Sequence, residues 1–314
     1  MGETLANDPC LKCQTPLAKS DDFATMGLHA ACFAEWFKLK TPEPFSGFRR
    51  RQADSQDLLL NGPDTASWNT SFFHGRFKKY SATLAGESYI FKVKEDMAPE
   101  LPDNEYLCNQ IAHNVGLPVP DFYLVKFGGE RAFVTKNFVR RIGGAANLVH
   151  LCHHRPVTAP YDCETLLGII LKETGRHADA EIFVKTCLFD ALVGNHDRHG
   201  RNLGLLVTSK GTSLAPIYDN TSALGLEHGE FLKADWNPSG KIATKATMEP
   251  TGKDYVLEFI RLGYRDQVAA FVRHLHLAKL LAIVDRSFCS DFMKDAMKSL
   301  ITKRAKEIID GFKA

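Results

Sequence analysis

The spacing of apolar positions changes character near residue 143. Before that point, short runs alternate with polar residues. Ser88-Tyr-Ile-Phe-Lys92-Val93 predicts a strand, and the segments Pro118 to Lys126 and Arg131 to Val139 predict a hairpin turning at Gly128-Gly129. Between them, Asn104 to Gly116 has helical periodicity and ends on glycine, with Pro118 just beyond. After residue 143 helical patterns dominate: Cys163 to Thr174, His177 to Val193, Tyr255 to Leu262, Asp266 to His274, Leu277 to Phe288 and Asp291 to Gly311. Two short apolar stretches interrupt them. Leu203 to Thr208 and Ser213 to Tyr218, joined at Lys210-Gly211, predict a second hairpin. At the other end, Ala30 to Lys38 predicts a short helix, and Thr41-Pro-Glu-Pro-Phe-Ser-Gly47 a stiff connector. The chain therefore divides into a small element over 1–40, a linker over 41–60, a strand-rich lobe over 61–142 and a helical lobe over 143–314. This is an α+β organisation without internal repeats.

Composition adds mainly exclusions. A chain of 314 residues, 44% hydrophobic and 24% charged, can bury the cores of two lobes. A net charge of +2 gives no electrostatic case for direct nucleic-acid binding, and Phe48-Arg-Arg-Arg51 reads as a solvated linker. No apolar stretch is long enough to span a membrane, and the polar start lacks the apolar core of a signal peptide. A cytoplasmic location is expected, although export without a cleaved signal would leave no trace in the sequence. Cys108, Cys152, Cys163, Cys187 and Cys289 sit in apolar contexts and read as small buried hydrophobes. His150, His153 and His154 read as surface residues near the lobe junction.

Chemistry concentrates in Leu192-Val-Gly-Asn-His-Asp-Arg-His-Gly-Arg-Asn-Leu-Gly-Leu-Leu206, followed by Pro216-Ile-Tyr-Asp219. Phosphoryl transfer requires a carboxylate near the attacking hydroxyl, oxygen ligands for Mg²⁺ and cations on the phosphates. Asp197 supplies the first, and Asn202 and Asp219 supply the second, with the hairpin returning Asp219 beside Asn202. The alternative, ordinary polar residues in a turn, has to account for three separate elements in the right order.

The pattern Asn195-x-Asp197-x-His199-x-x-Asn202, with Ile217-Tyr218-Asp219 behind it, resembles the catalytic and metal-binding loops of HipA-type serine/threonine kinases, the toxins of bacterial toxin–antitoxin pairs. Asp197 to Asn202 also resembles the DRHxxN loop of phosphoinositide 3-kinase-like enzymes. The resemblance implies a two-lobed, protein-kinase-like fold using ATP and Mg²⁺, with Asp197 as base and Asn202 and Asp219 as Mg²⁺ ligands. His199 braces the loop in one family and takes part in proton transfer in the other; bracing is favoured. Arg201 either directs charge toward the γ-phosphate or is a solvated loop cation.

A kinase also requires a strand lysine for the phosphates and a helix glutamate to fix it. Lys92 and Glu105 fill these places in order, although a strand-edge lysine with its charge in water is the plain alternative for Lys92. Asn137, Phe138 and Val139 then form the hinge beside the nucleotide. The phosphate-covering loop falls on Thr70 to Lys79, where Gly75 is the sole glycine, and the resemblance makes Ser71 the candidate autophosphorylation site.

Cys10-Leu-Lys-Cys13 and His29-Ala-Ala-Cys32, with fifteen residues between them, have the layout of a small Cys₃His zinc site. Reduced thiols or a redox pair are the alternatives.

The expectation is a kinase that phosphorylates Ser/Thr of a protein target. The HipA likeness implies a toxin acting on translation, for example on an aminoacyl-tRNA synthetase, with a DNA-binding antitoxin as partner. A phosphoinositide or small-molecule kinase is the first alternative, to which Lys233, Lys241, Lys245 and Lys253 would contribute a basic pocket. A non-catalytic module keeping the kinase fold is the second.

Overall fold

The computed structural model describes residues 8–18, 20–51, 78–96, 98–139, 146–226 and 238–314. Gly75, Ser71 and Lys233 lie outside the described residues. The chain forms two compact units, one of residues 1–106 and 121–141 and the other of 107–120 and 142–314.

The first unit is built on a five-stranded antiparallel sheet. Its strands are β1 (Ser46–Arg51), β2 (Lys79–Leu84), β3 (Glu87–Val93), β4 (Phe122–Phe127) and β5 (Glu130–Lys136), in the order β1-β2-β3-β5-β4. Both hairpins close on two left-handed residues, Ala85-Gly86 (φ 49° and 77°) and Gly128-Gly129 (62° and 87°). Positive φ at both turn positions matches the twist of the flanking strands. Tyr89, Ile90, Phe91 and Lys92 are all buried, as expected for a central strand covered on both faces.

The N-terminal Cys/His segment belongs to this unit. Helix α1 (Ala30–Phe37) drives Phe33 and Phe37 into an aromatic cluster, with Phe37 4.2 Å from the Tyr123 ring and 5.7 Å from that of Tyr89. Phe45 extends the cluster to Phe91 at 4.9 Å. Where the sequence predicts a connector, Ser46–Arg51 is strand: its backbone pairs with β2, and the exposed Arg49 and Arg50 suit a sheet edge.

Helix α2 (Leu101–Asn114) gives Leu101 to Tyr106 to the first unit and the remainder to the second, where Leu107, Cys108, Ile111 and Val115 join the core. The second unit contains α3 (Cys163–Thr174), α4 (His177–Val193), α5 (Gly252–Arg261), α6 (Arg265–His274), α7 (Leu277–Asp285) and α8 (Asp291–Lys313). A three-stranded sheet, β6 (Asn147–His150), β7 (Gly204–Thr208) and β8 (Gly211–Leu214), lies in the order β6-β7-β8. Helix α4 is buried on nearly every side and packs against α3, α5, α6 and α8. Strand β8 stops at Leu214, short of the predicted Tyr218, because Pro216 has no N–H for a ladder. The surface reading of His150 is corrected: it ends β6, is buried, and its Nδ1 lies 3.2 Å from the Tyr218 hydroxyl. Among the described residues no single helix is long and apolar enough to cross a membrane.

Candidate active site

The loop carrying Asp197 begins where α4 ends. Gly194 takes the left-handed conformation (φ 68°) that closes the helix, with its N–H on the Asp190 carbonyl. A Cβ there would come within 2.8 Å of Leu300 and Pro238. The buried Asn195 then works in both directions. Its Nδ2 donates to Asp190 Oδ1 (3.0 Å), and its Oδ1 accepts from the Asp197 N–H (3.0 Å). This leaves the Asp197 side chain 65% exposed. His199 accepts the Arg201 N–H on Nδ1 (3.2 Å) and turns Nε2 toward Asp197 Oδ1 at 3.8 Å. Asn202 donates through Nδ2 to the Asp197 carbonyl (2.8 Å), so the residue five positions ahead is tied back to the candidate base. The Arg201 side chain is exposed.

Arg198, fully buried, is the node under this loop. Its Nε and Nη2 make a two-point contact with Asp190 (both 2.8 Å), and Nη2 also donates to Asn220 Oδ1 (2.7 Å). Nη1 donates to the carbonyls of Asn202 (3.2 Å) and Tyr218 (2.6 Å). One nitrogen thus gathers the carbonyls of Asn202 and of Tyr218, the residue before Asp219, which are separated by the β7–β8 hairpin. Burial pushes the Asp190 carboxyl up and Arg198 opposes it; burial disfavours the Arg198 charge, but Asp190 raises its pKa and keeps it protonated. Asn220 in turn donates to Asn109 Oδ1 (3.0 Å) and the Ile217 carbonyl (3.2 Å). Asp219, held between Tyr218 and Asn220, is left-handed at φ 52°. Tyr218 donates its hydroxyl to the Arg201 carbonyl (3.0 Å) and closes the loop from the other side.

In the first unit, Lys92 Nζ lies 2.5 Å from Glu105 Oε1, with both side chains buried, and 5.7 Å from the centre of the Phe133 ring. Strand β3 is central, so the strand-edge lysine with its ammonium in water is not what this sheet contains. After β5, Asn137 donates its N–H to the Ser88 carbonyl (2.8 Å), and its Oδ1 accepts from the Val139 N–H (3.1 Å). Asn137, Phe138 and Val139 are buried.

Sequence reasoning placed Asn195 in the motif but missed the buried group that Asp190, Arg198 and Asn220 form with it. The available sign was an aspartate inside the apolar run Leu188-Phe-Asp-Ala-Leu192, since a charge in such a run needs a buried partner. Asp103 was also missed. It is buried on α2, its Oδ1 accepts from Arg131 Nε at 2.6 Å, and burial carries its pKa up to about 6 against the pull of Arg131.

Cys10, Cys13, His29 and Cys32 converge in the first unit, with one ligand atom from each lying within 4.8 Å of all the others.

The fold defines the class. The structure superposes on a crystal structure of the Helicobacter pylori proinflammatory kinase CtkA with a TM-score of 0.62 at 18% identity, covering 74% of this chain and 92% of that one. It also superposes on the HipA of a Shewanella oneidensis toxin–antitoxin complex with HipB and operator DNA. That match has a TM-score of 0.58 at 16% identity, covering 87% of this chain and 75% of that one. The fold is thus a two-lobed, kinase-like α+β fold with an N-terminal Cys/His element. The HipA-like C-terminal domain family model matches residues 66–299, and the chain belongs to that family. Similar curated proteins include a "Putative kinase" of Sinorhizobium fredii, 27% identical over 162 residues (46% of this chain, 40% of the relative). A "Putative kinase" of Haemophilus influenzae is 30% identical over 157 residues (43% and 45%). The chain spans less than half the length of these curated relatives.

Proposed function

We propose that the chain is an ATP- and Mg²⁺-dependent kinase that transfers the γ-phosphate to a serine or threonine hydroxyl of a protein. The observation that carries this reading is the Arg198 node, which holds the carbonyls of Asn202 and of Tyr218, the residue before Asp219, on one nitrogen beneath an exposed Asp197. The donor set fits Mg²⁺: a carboxylate and an amide are hard oxygen ligands, and Asn202 commits its nitrogen to the Asp197 carbonyl, leaving its oxygen as the end a cation would meet. When bound, the ion neutralises charge on the phosphates. Asp197, exposed while its own backbone is bound by Asn195, is placed to orient the acceptor hydroxyl and take its proton. His199 braces the loop through its bond to the Arg201 N–H, and the exposed Arg201 offers a cation to the phosphates. Lys92, its charge fixed by Glu105, supplies the phosphate contact, and Asn137 to Val139 supply the hinge against the nucleotide base.

The structural relative from Shewanella was solved with HipB and operator DNA. That likeness supports our proposal that this chain is the toxin of a toxin–antitoxin pair with a DNA-binding antitoxin as partner; the target in translation is proposed from the HipA resemblance of the Asn195 to Asn202 and Ile217 to Asp219 motifs.

The test follows label from γ-labelled ATP with Mg²⁺, using the purified chain and its Asp197→Ala variant, alone, with bacterial lysate and with phosphoinositide vesicles. Label on the chain or a lysate protein, reduced about 10²–10⁴-fold in the variant, is the expected result. Label in lipid alone would make the chain a lipid kinase. Nucleotide binding without transfer in any arm would make it a binding module.

A further inference from the structure

We propose that Cys10, Cys13, His29 and Cys32 form a structural Zn²⁺ site that fastens α1 to the sheet of the first unit. Zinc–sulfur and zinc–nitrogen bonds of about 2.3 Å and 2.0–2.1 Å, arranged tetrahedrally, put neighbouring donor atoms roughly 3.5–3.8 Å apart. Cys13 Sγ and Cys32 Sγ lie 3.5 Å and 3.8 Å from His29 Nδ1, and all four donors fall within 4.8 Å of one another. A disulfide would join two of these residues and leave the convergence of the other two unexplained.

The surroundings of His29 select the same reading. Its Nε2 lies 3.1 Å from the Pro16 carbonyl, which can only accept, so the ring proton sits on Nε2; the Asp21 carboxylate, 3.9 Å from the same nitrogen, favours it there. The neutral ring then offers the Nδ1 lone pair to the three sulfurs, the outer-shell arrangement that orients metal-binding histidines. The CxxC pair sits on a tight knuckle. Cys10 donates its N–H to the Thr15 carbonyl (2.8 Å) and accepts the Gln14 N–H (2.9 Å), and Gln14 is left-handed at φ 63°. The knuckle is tied to the second pair by the Leu11 N–H on the Gly27 carbonyl at 2.9 Å.

The helix needs this anchor. α1 has eight residues, too few to persist by its own hydrogen bonds, and its N-cap residue, His29, makes no capping bond because its ring faces the cysteines. Cys32 lies in the first turn, next to Phe33, whose ring centre lies 4.5 Å from that of Phe23 and 4.6 Å from that of Phe37, tilted against both. Trp36, one turn on, reaches Tyr123 at 5.9 Å and Tyr106 at 6.3 Å. Metal at the start of α1 therefore fixes the end from which its aromatic face is laid on the sheet.

The test measures metal by mass spectrometry on the full chain purified from zinc-supplemented cells, and hydrogen exchange in α1. Wild type should carry about one zinc per chain, and Co²⁺ in its place should give a tetrahedral, thiolate-ligated spectrum. His29→Cys should keep the metal; Cys10→Ser with Cys32→Ser should lose it, with α1 protection falling more than about tenfold. If the double variant does not fold, chelation of wild type, reversed by Zn²⁺, reads the same effect. Metal-free wild type with α1 protected, an octahedral Co²⁺ spectrum, or protection unchanged by chelation would overturn the proposal. None of these readouts depends on phosphoryl transfer.

Discussion

Asp219 combines a carboxylate suited to Mg²⁺ with a backbone conformation that an L-residue adopts at a cost of about 1–2 kcal/mol. The two properties are separable by substitution. Asp219→Gly and Asp219→Ala remove the same carboxylate, but only glycine relieves the left-handed strain. The glycine variant should therefore be the more stable of the two by about 1 kcal/mol in urea denaturation, with Mg²⁺-dependent nucleotide binding lost in both. Equal stability would remove strain as a property of this position. Asp103 is a second case in which one residue sets a measurable curve. Its ordinary value of 3.8 is carried to about 6, because burial disfavours the charge more than Arg131 favours it. The folded state thus binds the proton more tightly than the unfolded one. The associated stability is fully present below the unfolded value near 3.8 and is lost as pH rises through about 6. Asp103→Asn keeps an acceptor for Arg131 and carries no titratable group. Relative to wild type it should gain stability between pH 4 and 6, by at most roughly 3 kcal/mol, and hold that gain above pH 6. A flat difference across this range, measured by denaturant midpoints, would place the Asp103 titration elsewhere.

At the scale of elements, α4 and the loop after it meet at Gly194. The left-handed cap and the 2.8 Å approach to Leu300 and Pro238 leave no room for a side chain. Gly194→Ala should cost more than about 1 kcal/mol, since backbone strain and overpacking act together. It should also reduce label transfer, because Asn195 and Asp197 follow directly. A variant with wild-type stability and activity would show that the helix end has slack. This boundary was legible in the sequence, as glycine after an apolar helical run; so were β3, α2 and the hairpins turning at Gly128-Gly129 and Lys210-Gly211, where periodicity and turn residues agree, whereas β2 and its turn at Ala85-Gly86 were not. β6 was not legible: Asn147–His150 is four residues long and has no alternation to read. β1 was hidden for a different reason. Its Ser-Gly-Phe-Arg-Arg-Arg sequence is polar because it lies at a sheet edge, and only the β2 backbone makes it a strand. Asp197, Asn202, Asp219, Lys92 and Glu105 could be nominated from the sequence because motif spacing and the order of motifs are written along the chain, whereas the partners of Arg198 are scattered and become a group only through burial.

Across the second unit, Arg198 joins Asp190, Asn202, Tyr218 and Asn220, and through Asn220 reaches Asn109, which lies 111 residues from Asn220 in the chain. Such a node either supports stability or places the loop, and replacement of one partner cannot tell these apart. Asp190→Ala leaves a buried guanidinium without its carboxylate and should cost about 3–5 kcal/mol, whatever the node is for. Replacing the pair together, Asp190→Leu with Arg198→Met, removes both buried charges at similar volume, and such exchanges are often neutral or stabilising. If placement is the function, the double variant should recover most of the lost stability while label transfer stays low, because no donor then holds the Asn202 and Tyr218 carbonyls together. Recovery of both stability and transfer would show that the hairpin alone brings Asn202 and Asp219 into register, and the Arg198 node would then be a feature of folding and not of catalysis.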